Sequence, residues 1–319
     1  MDVNYTRAAC HRRRFFRFTA VIAAALFFKL FLFYSTPYAG IFTDEMGRRV
    51  EVKPNPSRIV SLAPHLTEIL FDLGLGKQIV GVTLYSNYPE EAKTKARVGS
   101  YVKLNLEKIV SLSPDLVIAT ADGNPKVVVE RLTSLGIPVF VINTKGISDI
   151  YGNIISIGEV TGRPKEGRIV SMKLRERIKG ITDLLKGLRK RKVFFQLGAN
   201  PLYTASAGTF TDDLITLAGG INIAGEEKVR YPVYSMEEVL KRNPEVIFSV
   251  LMGSEEGKSV KPLWEKWKTI EAVKKGQIYD IEPDITNRAS SRIADGLDAI
   301  ARKLHPEAFN DHKSKEYKR

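Results

Sequence analysis

Two glutamates stand in matching positions. Glu107-Lys-Ile-Val-Ser-Leu-Ser-Pro114-Asp-Leu-Val-Ile and Glu237-Glu-Val-Leu-Lys-Arg-Asn-Pro244-Glu-Val-Ile-Phe share one spacing: a glutamate, a proline seven residues on, then an acid and aliphatic residues. Each reads as a helix, a proline turn and a buried strand. A first-turn carboxylate is favoured by the helix dipole, and Asn105 and Ser235 are good N-caps. Ser235-Met-Glu-Glu238 has the form of a capping box, which gives Glu238 a structural task and leaves Glu237 facing elsewhere. One exposed carboxylate per repeat, related by pseudosymmetry, suits clamping onto a two-fold symmetric, arginine-bearing partner.

Four tyrosines form the second group. Tyr85, Tyr101, Tyr203 and Tyr231 fall in predicted loops of both halves of the chain. An isolated surface tyrosine carries no message, but four on such loops can line a cleft, offering flat apolar faces and polar tips to a large ligand. Asp284 and Arg288, in the loop before the last helix, add polar contacts. His65 follows Pro64 at a strand-to-helix turn; a capping or partly exposed histidine is the simpler reading, with a haem or metal ligand as the alternative. Catalytic signatures are missing: there is no Gly-x-Gly-x-x-Gly, Gly-x-x-x-x-Gly-Lys-Ser/Thr, Gly-x-Ser-x-Gly or His-Glu-x-x-His. A Ser-His-Asp site would have to use His65 or His305. The chain is read as non-enzymatic.

Composition narrows the rest. With 319 residues and 44% apolar content the chain can bury a sizeable core in two units of ordinary size. One cysteine, Cys10, and four histidines exclude a disulfide framework and leave little for a metal site. The formal charge is +13, but the first forty residues carry six basic side chains and one acid; the remainder, 43 basic against 35 acidic, nets +8. That remainder reads as spread along the chain, so nucleic acid is not an expected partner.

These residues must be positioned by elements whose pattern is local. Short apolar runs such as Arg58-Ile-Val-Ser-Leu-Ala63, Leu116-Val-Ile-Ala119 and Val139-Phe-Val-Ile142 alternate with helices, which predicts parallel strands covered on both faces. The plan restarts at Lys192-Val-Phe-Phe-Gln-Leu197 and continues through Val246–Val250 and Gln277–Ile281. Between the halves, Pro164 to about Gly187 reads as one long helix of about 35 Å. The fold class is therefore α/β, with two Rossmann-like lobes joined by one long rigid helix and a ligand cleft between them. Residues 41–160 form the first lobe, 161–190 the connecting helix and 191–319 the second lobe. The tail after His305 is expected to fray.

Residues 1–40 have the layout of an export signal. A basic region (Arg7, Arg12, Arg13, Arg14, Arg17) precedes an apolar run from Phe18 to Tyr34, and small or turn-forming residues follow. Lys29 leaves about eleven uninterrupted residues, short of the roughly twenty that span a bilayer. A cleaved signal with periplasmic delivery is expected, with an uncleaved membrane anchor as the alternative.

Taken in order, Arg58-Ile-Val-Ser-Leu-Ala-Pro64 with Thr67-Glu68, Tyr85-Ser-Asn-Tyr-Pro89, Asn105-Leu-Glu-Lys-Ile-Val110 with Pro114-Asp-Leu-Val117, and Asn200-Pro-Leu-Tyr-Thr204 make a specific set. From Arg58 to Leu304 the chain resembles the extracytoplasmic substrate-binding proteins of ABC importers for cobalamin, haem and ferric siderophores, the helical-backbone metal receptors. It looks most similar to the cobalamin binders. The resemblance implies limited hinge motion about one helix. It also implies docking of Glu107 and Glu237 on arginines of a dimeric permease with its cytoplasmic ATPase, and corrin contact by Tyr85, Tyr101, Tyr203 and Tyr231. Asp284 and Arg288 match the polar end of such a cleft. The cobalamin pattern is richer in tryptophan, where this chain has Tyr101, Tyr231, Thr120 and Ile285. The expected role is a monomeric receptor for cobalamin that needs no cofactor. A haem or ferric-siderophore receptor and a membrane-anchored ligand sensor are the alternatives.

Overall fold

The computed structural model describes residues 40–250 and 259–310. The expected leader, with Cys10, and the tail beyond Asn310 lie outside the described residues. The described residues from Ile41 onward form one compact unit, and the core is drawn from them.

Strands β1 (Gly40–Thr43) and β2 (Arg49–Val52) make a small sheet of their own. The first large sheet follows. Strand β3 (Ile59–Ser61) runs into helix α1 (Pro64–Asp72), whose leading proline fits the first turn because its missing N–H would find no helical partner there. Then come β4 (Ile79–Val82), β5 (Ala96–Arg97), α2 (Leu106–Ser111), β6 (Leu116–Thr120), α3 (Lys126–Ser134) and β7 (Val139–Ile142). The strands lie in the order β5-β4-β3-β6-β7, every neighbouring pair parallel. Helices α4 (Ile147–Val160) and α5 (Pro164–Leu184) come next. The second large sheet is built from β8 (Arg191–Gln196), α6 (Phe210–Leu217), β9 (Gly220–Asn222), α7 (Met236–Arg242), β10 (Val246–Ser249), α8 (Lys261–Trp264), α9 (Glu271–Lys274) and β11 (Ile278–Asp280). Its order is β11-β10-β8-β9, again parallel throughout. Helices α10 (Pro283–Thr286), α11 (Ile293–Leu304) and α12 (Glu307–Asn310) finish the described chain.

In both sheets the first strand is central and the chain reverses its winding beside it, at β3/β6 and at β8/β10. Such switch points open a crevice at the carboxyl ends of the strands. The spacing shared by the Glu107 and Glu237 segments has a structural counterpart. Asp115, just before β6, accepts a hydrogen bond from the Arg58 N–H at 2.9 Å. Glu245, just before β10, accepts one from the Lys192 N–H at 3.0 Å. In each sheet the acid after the proline fixes the start of the central strand. Glu238 departs from the capping-box expectation: Ser235 caps the Glu238 N–H, but the Glu238 carboxylate pairs with Arg242 at 2.6 Å.

One apolar core runs through both sheets. It gathers Ile59, Leu66, Ile118 and Phe140 from the first sheet and its helices, and Val193, Phe195, Leu214 and Phe248 from the second. Helices α4, α5 and α11 join them through residues such as Ile154, Ile178 and Leu297. Separate clusters cover the opposite faces of the two sheets. Helix α5 has 21 residues, hence a length of about 30 Å, and connects the sheets in sequence. Helix α4, ahead of it, was not foreseen; the two pack closely because Gly158 meets Gly167, where an added Cβ on Gly158 would come within 3.0 Å of the Gly167 Cα. The segment after His305 does not fray at once: Phe309 is buried and carries the Arg302 guanidinium 4.4 Å over its ring.

The sheets are also tied by polar contacts. The Ile147 N–H, opening α4, donates to Asp213 on α6 at 2.8 Å. Arg177 of α5 pairs with Asp295 of α11 at 2.6 Å. The densest tie surrounds Glu68 on α1. Its Oε1 accepts from Arg288 at 2.7 Å and Arg292 at 3.1 Å, and its Oε2 from Ser290 at 2.5 Å. Beside it, Ser291 donates to Asp72 at 2.5 Å. Glu68 and Arg288 are both buried. Removing one partner of a buried ion pair strands the other charge, so Glu68→Ala should lose about 3–5 kcal/mol in urea unfolding of residues 41–319. A loss below about 1 kcal/mol, the scale of an exposed pair, would mean that the apolar core alone holds the sheets together.

Candidate ligand-binding cleft

A cavity of about 700 Å³ opens at the carboxyl ends of both sets of strands. The loop after each strand contributes. Pro64 and His65 open α1 after β3, Tyr85 and Asn87 follow β4, Tyr101 follows β5, Thr120 ends β6 with Asp122 just beyond it, and Thr144 follows β7. Facing them are Leu197 and Tyr203 after β8, Phe210 and Thr211 at the start of α6, and Tyr231. The segment 283–289 completes the lining with Asp284, Asn287 and Arg288.

All six residues expected from the sequence to line a cleft therefore meet in one cavity: Tyr85, Tyr101, Tyr203, Tyr231, Asp284 and Arg288. Thr120 joins them, whereas Ile285 is absent from the lining. Glu107 and Glu237 lie elsewhere, exposed in the first turns of α2 and α7, and neither forms an ion pair among the described residues.

Each tyrosine is placed by its loop. The Tyr85 loop is clamped from below by buried hydroxyls: Thr67 donates to the Ser86 Oγ at 3.0 Å, and Arg97 donates to the carbonyls of Thr83 and Ser86, each at 2.9 Å. The Tyr101 carbonyl accepts from Asn124 at 3.0 Å, and the same amide group donates to the Leu62 carbonyl at 2.9 Å. The Tyr101 ring lies against Gly123, which has φ +106°; a Cβ there would fall 1.9 Å from the ring, so only glycine serves. Across the cleft, the segments around Tyr203 and Tyr231 zip together. Tyr203 bridges Val233, and the N–H groups of Thr204 and Ser206 donate to the Pro232 and Arg230 carbonyls at 3.1 and 2.9 Å.

The electrostatics of the floor are set by compensation. Among the described residues Arg288 is the one Arg or Lys of the lining. Its guanidinium is committed to Glu68, to Asp284 at 2.5 Å, to the Asn87 Oδ1 at 2.8 Å and to the Tyr85 carbonyl at 3.1 Å. Asn87 returns a hydrogen bond to Asp284 at 3.0 Å. A cation so occupied positions its neighbours; it has little left for a ligand anion. Burial, reinforced by the Asp122 charge, raises the Tyr101 hydroxyl above the usual phenol range, and burial likewise raises that of Tyr231. Both rings stay neutral at physiological pH. His65 is held neutral too: burial, and secondarily the Arg288 charge, lower its pKa from 6.5 to about 4. Its Nε2 is buried with no hydrogen-bond partner among the described residues.

Several lining residues escaped sequence reading. Asn87 sits inside the quoted run Tyr85–Pro89, and Phe210 and Thr211 follow Gly208 at a predicted helix start, so local signals existed for them. Asp122 and Thr144 follow strand ends, where cleft residues emerge in such folds.

The fold and this cleft define a two-lobed solute-binding protein. The chain belongs to the periplasmic binding protein family, whose sequence model matches residues 59–285. A vitamin B12-binding protein of Vibrio cholerae is 34% identical over 250 residues, which span 78% of this chain and 89% of that protein. The crystal structure of the periplasmic vitamin B12-binding protein of Vibrio cholerae matches with a TM-score of 0.71 at 31% identity, over 80% of this chain and 99% of that one. A periplasmic haem-binding protein from Roseiflexus sp. RS-1, in apo form, matches with a TM-score of 0.72 at 26% identity, over 79% and 99% of the two chains.

The His65 shift has a measurable consequence. The unfolded chain takes up a proton near pH 6.5 and the folded one only near pH 4, so stability falls as pH drops through that window. The loss attributable to this group reaches at most about 3 kcal/mol by pH 4. Comparing unfolding of wild type and His65→Leu from pH 7 to pH 4 isolates it: the variant should lack that part of the slope. Parallel pH profiles would place the imidazole in solvent.

Proposed function

We propose that this chain is a periplasmic receptor that captures a corrinoid, cobalamin, and delivers it to an ABC permease dimer driven by its cytoplasmic ATPase. It acts as a monomer, without catalysis and without a metal or cofactor of its own. Residues 41–160 and 191–319 are its two lobes, the helix within 161–190 bridges them, and the first forty residues are its export signal or an uncleaved anchor.

The observation that carries this reading is the cleft itself. Four tyrosines, two from the loops of each sheet, wall a cavity of about 700 Å³ whose lining arginine is already compensated. A broad macrocycle gains most from flat aromatic faces, and the amide groups around a corrin are neutral hydrogen-bonding partners for Asp284 and Asn87. Haem carries propionates and many ferric siderophores are anionic; both favour an uncommitted cation. Haem is nonetheless the second reading, favoured by the Roseiflexus relative and by tyrosine hydroxyls, which are competent iron ligands. Glu107 and Glu237, one per lobe, exposed and without an ion pair among the described residues, are the groups that dock on permease arginines.

Calorimetric titration of residues 41–319 with cyanocobalamin, then haem, then a ferric siderophore tests the ligand. Saturable one-to-one binding of the corrinoid alone is expected; a haem or siderophore response with cobalamin silent overturns the assignment. The Glu107→Ala, Glu237→Ala double variant should keep its affinity and lose transport in cells. Transport that survives the double change would remove the docking role.

A further inference from the structure

The positive charge is not spread evenly, contrary to the reading of the sequence as a whole. Residues 163–192 hold twelve Lys and Arg side chains against three acids, a net of +9. Residues 41–319 together net +8, so the rest of the compact unit is close to neutral, at −1. Within α5 six of these cations stand against all three acids, a net of +3; Arg163 precedes the helix and five more cations follow it at 186–192.

The helix shows two faces. Leu174, Ile178 and Ile181 are buried in the shared core, and Ser171 is buried on the same face, donating to the Tyr151 carbonyl at 3.0 Å. Opposite them runs an exposed ridge at helical spacing: Lys165, Arg168, Ile169, Met172, Lys173 and Lys179. Its centre is apolar, with Ile169 47% and Met172 52% exposed. Among the described residues Lys165, Arg168 and Lys173 have no acidic partner, whereas Lys179 is paired with Asp183. Glu176 is the one acid within the ridge, and Asp183, which closes it, is held below the usual carboxylate range by hydrogen bonds from Lys179 and Lys186.

We propose that this outer face of α5 is a docking surface for anionic phospholipid headgroups, on which the protein lies with the helix parallel to the bilayer. The chemistry is that of an interfacial helix: exposed aliphatic side chains flanked by Lys and Arg, which reach headgroup phosphates while Ile169 and Met172 enter the boundary layer. The ridge from Lys165 to Lys179 is about 21 Å long and carries no aromatic ring, so it has no platform for nucleic-acid bases. The proposal does not depend on which ligand fills the cleft.

Co-sedimentation of residues 41–319 with vesicles tests it, with phosphatidylglycerol–phosphatidylcholine mixtures compared against pure phosphatidylcholine. Binding to the anionic vesicles should exceed binding to the neutral ones by at least about tenfold at low salt and fall as salt is added. The Lys165→Glu, Arg168→Glu, Lys173→Glu variant should lose it, while thermal unfolding and cleft binding of cyanocobalamin or haem match wild type. Ile169→Ser, Met172→Ser should weaken the vesicle interaction at unchanged charge. Equal sedimentation of wild type and the charge-reversed variant overturns the proposal. So does a serine variant that sediments with the anionic vesicles as wild type does, since the exposed aliphatic centre would then play no part.

Discussion

A single buried carboxylate joins parts of the chain more than two hundred residues apart. Glu68 on α1 faces Arg288, Ser290 and Arg292 from the segment leading into α11. A carboxylate taken out of water is tolerated only when its oxygens are fully occupied, and here both are. The consequences spread outward. Arg288, held by Glu68, reaches the Tyr85 carbonyl and Asn87, so the tyrosine loop of the first lobe is referenced to the second. Arg292 also sets its guanidinium 3.9 Å over the Tyr88 ring, adding a second contact between the same two segments. The floor of the cleft is thus also the seam between the lobes.

Polar seams of this kind specify geometry more than they add stability. The apolar core that continues from Ile118 through Ile178 to Phe248 supplies the driving force for association of the sheets. What it lacks is direction, since packed aliphatic side chains tolerate small slides. Charge-assisted hydrogen bonds at Glu68 and Asp213 remove that freedom, and the cleft tyrosines inherit a defined separation.

Much of this was legible in the sequence because it is local. The run Val139–Ile142 marks strand β7 at both ends, and Pro64, Gly136 and Gly219 stand at or just beyond the ends of α1, α3 and α6. The short strands β5 and β9 carried too few apolar residues to register. Helix α4 went unread although Ile147, Ile150, Ile154 and Ile157 recur at helical spacing; its glycines and serines diluted the pattern. The tyrosines were found because loop residues flanked by Pro or Gly announce themselves. Arg288 was read as a ligand contact, and the structure shows what no local pattern contains: its partners lie 220 and 201 positions away. The roles of Glu68, Asn87 and Asn124 were hidden for the same reason. Buried charge pairing across the fold leaves no periodic trace.

The shared core has one more consequence, for unloading. Two lobes with separate cores can swing apart and relax into an empty, open form, so that discharge of cargo is spontaneous. Here Ile154, Ile178 and Leu297 would have to be torn from common neighbours before the walls could part widely. Wide parting of the walls therefore carries the cost of breaking a packed interior, and the cleft is stiffened by the same side chains that hold the sheets together.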